Sequence, residues 1–296
     1  MKKILTHVKM APKGMGLNDF VAQKEGYFEA EGLDIEFDWK TFKGTQSSWK
    51  NFKYFERPQD KPYADGEQVI QCACLWGTIS NASAGMGRVV PDCYGVSPWA
   101  IFVRPDSKIH QPEDLKDVPI GVGMRAGSHF NVPYRLEAYM PLENIKTVNI
   151  GGFSARLKAL LEGEVEAASL LPPQIDMAEQ LGLRKIIENT FPTLWWVPEN
   201  SPTDAVRGYL RALDRAERAL EADLGKYLDL WEICIPQEFA ERKWDLKKFT
   251  RGEKFVYKPL PKEQFDEVFN QVKRWGLDQF TKEHSYDKLT LSVGTA

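Results

Sequence analysis

The sequence predicts a two-lobed α/β protein with mostly parallel sheets and a ligand cleft between the lobes. Short apolar runs alternate with segments of helical periodicity along most of the chain, the pattern of repeated β–α units. Two such sets are separated by extended stretches at 94–104 and 195–197, which read as crossings between lobes. The run Gly163-Glu164-Val165-Glu166-Ala167-Ala168-Ser169-Leu170-Leu171-Pro172-Pro173 reads as a helix end, a tight turn, a short buried strand and a stop. Before it, Phe153, Leu157, Leu160 and Leu161 recur at helical spacing, and Gly163 follows where a helix end tolerates positive φ. The small apolar run 165–171 suits a strand buried on both faces, and the two prolines end its ladder. In open α/β sheets ligands bind just past the carboxyl ends of strands. Residues 1–95 are assigned to lobe one and 96–190 to lobe two, with 191–296 returning to lobe one and adding C-terminal helices.

In order, residues 4–9 predict the first strand, 11–18 a Gly-rich loop, and 19–30 a helix ended by Gly32. Alternation over 33–39 predicts the second strand. Residues 40–66 are a long irregular insertion rich in lysine and aromatics, including Phe42, Trp49, Phe52, Tyr54, Phe55 and Tyr63. So many aromatics are costly to leave in water, and long loops beside a crevice are often functional. A third strand follows at 69–75 and a helix at 78–86. The second set comprises a turn at 112–115, strands at 119–123, 145–150, 165–171 and 184–188, and helices at 128–140, 154–161 and 174–181. Helical periodicity returns at 203–220 and 265–275, with Pro202 at a helix start.

Composition bounds the function. The 296 residues carry net charge −3, 43% hydrophobic and 27% charged residues, an ordinary globular profile without a basic stripe for nucleic acid. No apolar run approaches a membrane span. The N-terminal residues 1–9 have two lysines but neither an apolar core nor a cleavage site, so they read as the first strand and not as a signal peptide. As written the chain is expected in the cytoplasm, or outside it if a leader was removed. The four cysteines have no framework spacing, and neither metal nor cofactor is expected.

Five motifs in order carry a resemblance. They are the stretch 20–36 with Gly26-Tyr27-Phe28 and Gly32-Leu33-Asp34-Ile35, then Ala100-Ile101-Phe102-Val103-Arg104-Pro105-Asp106-Ser107, then Gln111-Pro112-Glu113-Asp114-Leu115, then Pro119-Ile120-Gly121-Val122 with Gly127-Ser128-His129, and the helix–strand–Pro-Pro unit. Over roughly residues 4–190 the chain resembles the nitrate/sulfonate/taurine-type substrate-binding proteins, a group with the type II periplasmic-binding-protein fold that also includes the yeast thiamine-pyrimidine synthase. The resemblance implies capture of a small organic anion or zwitterion between the lobes, as the binding component of an ABC-type transporter with a permease partner. The synthase branch uses a lysine and a run rich in histidine and cysteine. Residues 191–196 here hold neither residue type, so that chemistry is not expected.

Candidate ligand contacts follow. Gly127, Ser128 and His129 open a predicted helix, where unpaired N–H groups and the macrodipole favour an anion, and Arg125 stands two residues earlier. In the resembled family this position grips the ligand's acidic group. Lys13, Gly14 and Asn18 belong to the glycine loop of the opposite lobe. Trp76 and Thr78 follow the third strand, Ser97 and Trp99 lie at the first crossing, Gln174 follows the two prolines, and Trp195 lies at the return. The aromatics suggest a ligand with an apolar or planar part. The alternative is an enzyme on the same fold, a decarboxylase, lyase or dehydratase of an aromatic or cyclic acid, with His129 and Cys74 as candidate catalytic pair. A ligand sensor is a third reading.

Overall fold

The computed structural model describes residues 5–53 and 55–294. The expectations placed on Ile4 and Tyr54 lie outside the described residues. The elements run β1 (Thr6–Met10), α1 (Asn18–Lys24), α2 (Tyr27–Ala30), β2 (Leu33–Phe37), α3 (Trp39–Gln46), α4 (Lys61–Ala64), β3 (Val69–Cys74), α5 (Leu75–Ser83) and β4 (Arg88–Val103). They continue with β5 (Pro119–Val122), α6 (Gly127–Leu136), β6 (Lys146–Asn149), α7 (Phe153–Leu161), β7 (Ala167–Leu170), α8 (Gln174–Gln180) and β8 (Arg184–Val197). The chain ends with α9 (Thr203–Ala222), β9 (Lys254–Val256), α10 (Lys262–Arg274) and α11 (Tyr286–Leu289).

The described strands form one sheet in the order β2-β1-β3-β8-β4-β7-β5-β6, with β9 added on β4. Each lobe contributes parallel pairs, β1 with β2 and β3 in the first, β5 with β6 and β7 in the second. Between them run two long antiparallel strands. β4 and β8 pair from Arg88↔Val197 to Val103↔Arg184, with a register shift between Val90 and Gly95. The expected crossings at 94–104 and 195–197 fall in these two strands, so the lobes share one antiparallel ladder, with a second register shift between Ile101 and Phe102, rather than two loops. Along β4 the period-two alternation of a strand sends Ala100 and Phe102 to one core and Trp99, Ile101 and Val103 to the other. The first core is closed by α1, α7 and α9, the second by α5, α6 and α10.

Three local differences have physical causes. The helix expected over 19–30 breaks at Gly26, whose φ of 70° ends α1 and starts α2. Helix α5 starts at Leu75 rather than 78, because the Cys74 sulfur accepts the Gly77 N–H at 3.3 Å and caps it. The insertion is more ordered than its composition suggests: α3 and α4 flank a turn at 47–50 that docks on the second lobe. There Gly152 N–H donates to the Ser47 carbonyl at 2.7 Å, Ser48 Oγ donates to the Ile150 carbonyl at 2.8 Å, and Ser48 bridges Gly151. Among the described residues no helix is long and apolar enough to cross a membrane.

Candidate functional site

Between the lobes lies a cavity of about 730 Å³ at the carboxyl ends of β1, β3 and β5. Its wall is mainly apolar, with Met15, Trp49, Phe153, Leu171, Phe191 and Trp196 facing in. Among the described residues it also holds four cationic side chains, Lys13, Arg57, Arg125 and Arg156, and no Asp, Glu or His.

Lys13 comes from the loop after β1. Its Nζ lies 2.7 and 2.5 Å from the two Glu253 oxygens and 3.0 Å from the Cys72 sulfur. Thr193 Oγ1 donates to the same carboxylate at 2.9 Å. Burial pulls the Lys13 pKa down, and the adjoining Cys72 and Glu253 more than reverse it, so it lies above 10.5. Cys72 is itself pushed up to about 12 by burial, so at neutral pH it is a thiol and the carboxylate is the partner that keeps Lys13 charged.

Arg57 and Arg125 form one network. Arg57 grips Asp60 through Nε at 2.7 Å and Nη2 at 2.8 Å, and its Nη1 reaches the Met124 carbonyl of the second lobe at 2.9 Å. Asn81 Nδ2 donates to Asp60 at 3.0 Å, and Asn81 Oδ1 accepts from Arg125 Nη2 at 2.9 Å. The Arg125 guanidinium lies over the Phe55 and Phe280 rings, 4.8 and 5.5 Å from their centres. Its φ of 57° is a left-handed conformation uncommon for a residue with a side chain.

Arg156 sits on the buried face of α7 and is 1% exposed. Its Nε donates to the Ser169 carbonyl at 2.7 Å and Nη1 to the Gly151 carbonyl at 2.6 Å. Burial lowers its pKa to about 9, which still leaves it positive at neutral pH. Its Nη2, the Trp49 indole N–H and the Gln59 side-chain oxygen have no hydrogen-bond partner among the described residues.

Of the residues nominated from sequence, Lys13, Cys74, Arg125 and Gly127 line this cavity. A methyl group at Gly127 would stand 3.1 Å from Phe191 and 3.2 Å from Cys74 Cβ, so glycine admits a close approach there. Gly14, Asn18 and Trp195 line a smaller chamber of about 310 Å³ on the far side of Lys13 and Cys72. Asn18 donates to Glu217 at 3.0 Å, and the Trp195 N–H to Tyr209 at 3.3 Å.

The other nominated residues lie outside both walls. Trp76 is drawn into α5, where it packs on Phe130, Tyr134 and Trp275 and donates to Gln271 at 2.5 Å. Thr78 and Ser97 are fully buried. Trp99 points into the second core and donates to Ser169 at 2.6 Å. The Ser128 hydroxyl is fully buried and accepts the Gly123 N–H at 2.9 Å. Gln174 is buried, its Nε2 3.4 Å from Gln46 Oε1. His129 Nδ1 accepts the Arg125 N–H at 3.1 Å. Burial, with Arg57 and Arg125 nearby, lowers its pKa to about 4, so the ring is neutral at neutral pH. Cys74 spends its sulfur on the α5 cap and is pushed up to about 11 by burial. The structure does not bring His129 and Cys74 together as an activated pair.

Sequence reasoning missed Trp49, Arg57 and Arg156. A signal for Arg156 existed: it shares the 153, 157, 160 stripe, and a charge on the apolar face of a helix needs a partner. No comparable signal singled out Arg57. Among the described residues no group of three His, Cys, Asp or Glu side chains gathers to hold a metal.

No protein-family profile and no curated protein matches the sequence. Solved structures do match the fold. The alkanesulfonate-binding protein SsuA from Xanthomonas axonopodis pv. citri, bound to MOPS, superposes with a TM-score of 0.67 at 13% identity, covering 97% of this chain and 98% of that one. A Candida albicans gene product described as having the generic periplasmic binding protein fold gives 0.66 at 14% identity, covering 97% and 98%. The desulfurization enzyme DSZB, also solved with biphenyl-2-sulfinic acid, gives 0.59 at 13% identity, covering 97% and 96%. This chain therefore has the periplasmic-binding-protein fold, one that carries both sulfonate-binding proteins and a desulfurization enzyme.

Proposed function

We propose that this protein binds a small organic anion with an apolar body in the cavity between its lobes, as the substrate-binding component of an ABC-type transporter. The observation that carries the reading is the wall itself, which among the described residues holds four cations, two of them paired behind it to Glu253 and Asp60, and no carboxylate, within a mainly apolar surface. Such a wall stabilises a negative headgroup by charge-assisted hydrogen bonds and an apolar body by removal from water. A neutral analogue gains only the second term. The division at 1–95, 96–190 and 191–296, lobe closure about β4 and β8, and a permease partner belong to the same proposal. Among neighbours of this fold, the SsuA relative holds MOPS and DSZB holds biphenyl-2-sulfinic acid.

The enzyme reading has one observation in its favour, the DSZB neighbour, and the chemistry on the wall weighs against it. Cys72 and Cys74 are held as thiols, and His129 lies outside the cavity. Lys13 is tied to Glu253 as an ion pair, so it is not a free base.

The test is a calorimetric screen of aromatic and aliphatic carboxylates and sulfonates against their uncharged amides, followed by mass analysis of the recovered compound. Acids should bind, amides should not, and the acid should be recovered unchanged. Equal affinity for acids and amides would remove the basis of the reading. Recovery of a converted product with repeated turnover would replace it with the enzyme.

A further inference from the structure

We propose that Trp49 and Arg156 together form the seat of the ligand's anionic group, one donor from each lobe, and that the 47–50 turn carrying Trp49 is the movable half of that seat. The inference rests on the anion-binding reading above and assigns it to two residues.

Arg156 is a buried cation with no counter-charge among the described residues. Lys13 is neutralised by Glu253 and Arg57 by Asp60, whereas Arg156 donates only to the main-chain carbonyls of Ser169 and Gly151. Holding a guanidinium 1% exposed without a counter-charge is unfavourable unless something else supplies one. Arg156 lines the cavity, and its remaining arm, Nη2, has no partner among the described residues. The same holds for the Trp49 N–H, on a side chain also 1% exposed.

The two donors are neighbours. A methyl group placed on Gly123 would stand 2.9 Å from Trp49 Cζ2 and 3.0 Å from Arg156 Nη1. The indole nitrogen is two bonds from that Cζ2, and Nη2 is the other arm of the same fork. The absence of a side chain at Gly123 therefore lets the indole and the guanidinium pack side by side against its backbone. A group with at least two acceptor oxygens and a negative charge, such as a carboxylate, sulfinate or sulfonate, meets both unmet donors and supplies the missing charge.

The turn that brings Trp49 is tied to the second lobe by hydrogen bonds at one short stretch of chain. Gly152 N–H donates to Ser47, Ser48 Oγ to Ile150, and Asn149 Nδ2 to the Trp49 carbonyl at 3.3 Å. All of these lie at 149–152, immediately before the helix that carries Arg156. An oxyanion held by both donors ties the turn to α7, so binding and docking of the turn reinforce each other.

The experiment titrates wild type, Trp49→Phe and Arg156→Lys with benzenesulfonate and benzoate, with benzenesulfonamide and benzamide as uncharged counterparts. Hydrogen exchange is followed across 46–50 with and without the acids. The acids should bind wild type, and Trp49→Phe, which keeps an aromatic ring and loses the N–H, should weaken them by about tenfold or more, as expected for a hydrogen bond to a charged group. Arg156→Lys should weaken them at least as much, since an ammonium cannot hold both carbonyls and the ligand. Acid should slow exchange at 46–50 in wild type and not in Trp49→Phe. If Arg156→Lys does not fold, Trp49→Phe decides alone. Acids that bind wild type and Trp49→Phe equally would overturn the seat while leaving the anion reading in place. Failure of both acids to bind wild type would overturn both.

Discussion

Lys13, Cys72, Thr193 and Glu253 come from four distant points of the chain to make one buried ion pair on the cavity wall. Removing one partner of a buried pair leaves an uncompensated charge and typically costs about 3–5 kcal/mol, whereas removing both is often close to neutral. Glu253→Gln should therefore destabilise the protein strongly in denaturant unfolding at neutral pH, and Lys13→Met with Glu253→Gln should recover most of the loss. A double variant no more stable than the single one would refute this account. A second residue-scale expectation concerns pH. Burial raises Asp19 to about 6 from an ordinary 3.8, despite a 2.6 Å hydrogen bond from Tyr209. The folded state then binds the proton more tightly than the unfolded chain. Above pH 6 Asp19 opposes folding, and that penalty is relieved as the pH falls from about 6 toward 3.8. His129 acts in the other direction. Its folded value near 4 against 6.5 means its contribution is fully present above 6.5 and is lost as the pH falls toward 4. Asp19→Asn keeps the acceptor for Tyr209 and removes the first effect. It should raise stability at pH 8 by up to about 3 kcal/mol, from a shift of roughly two units, and by little at pH 4. Equal effects at both pH values would rule this out.

At the scale of elements the 47–50 turn is the distinctive part. It seats on two glycines: a methyl group at Gly152 would lie 2.3 Å from the Ser47 carbonyl oxygen and 2.4 Å from the Gln46 carbonyl carbon, both main chain. Gly152 itself has φ −64° and ψ 175°, which any residue adopts, so the obstacle to alanine is the end of α3 and the start of the turn that follows it. Gly152→Ala should push the turn away at a cost of about 1–3 kcal/mol, the range for overpacking. Amide exchange over 46–50 should rise, and affinity for anions should fall. Gly26→Ala is the control, because its φ of 70° is strained but no atom lies within 4 Å of the added methyl. It should cost stability without altering exchange at 46–50. Equal exchange in the two variants would show that the turn does not depend on Gly152.

At the scale of the molecule, β4 and β8 form the connection between lobes, with the turn and the Arg57–Met124 contact as separate links on the cavity side. The β-irregularity between Val90 and Gly95 marks where the β4–β8 ladder is interrupted. A ligand that holds the cavity side together should leave β4 and β8 as pivot. Benzenesulfonate at about a hundred times its dissociation constant should stabilise the protein by about 2.7 kcal/mol through linkage, raising the melting temperature with concentration. Small-angle scattering should show a larger radius without it than with it. A radius unchanged by saturating ligand would argue for a rigid, preformed cavity.

The sequence by itself determined the alternation of strands and helices, their order, and the neighbourhood of the cavity. Helical and strand periodicity are local, glycine and proline punctuate them, and ligand cavities of open α/β sheets lie past the carboxyl ends of strands. That is why Lys13, Cys74, Arg125 and Gly127, each just past or at the end of a strand, were legible as wall residues. Trp76, Ser128 and His129 stand in equivalent places, and their orientation was not legible. One or two residues of helix start turn a side chain through a large angle, and the Cys74 cap sent Trp76 into the core. Only the tertiary structure decided that the insertion supplies Trp49 and Arg57 to the cavity, and that Arg156 has no counter-charge among the described residues. It alone decided that two crossings are one antiparallel ladder. Each of these is a contact between residues far apart in sequence, and periodicity carries no information about which distant groups meet or which donors they leave unmet.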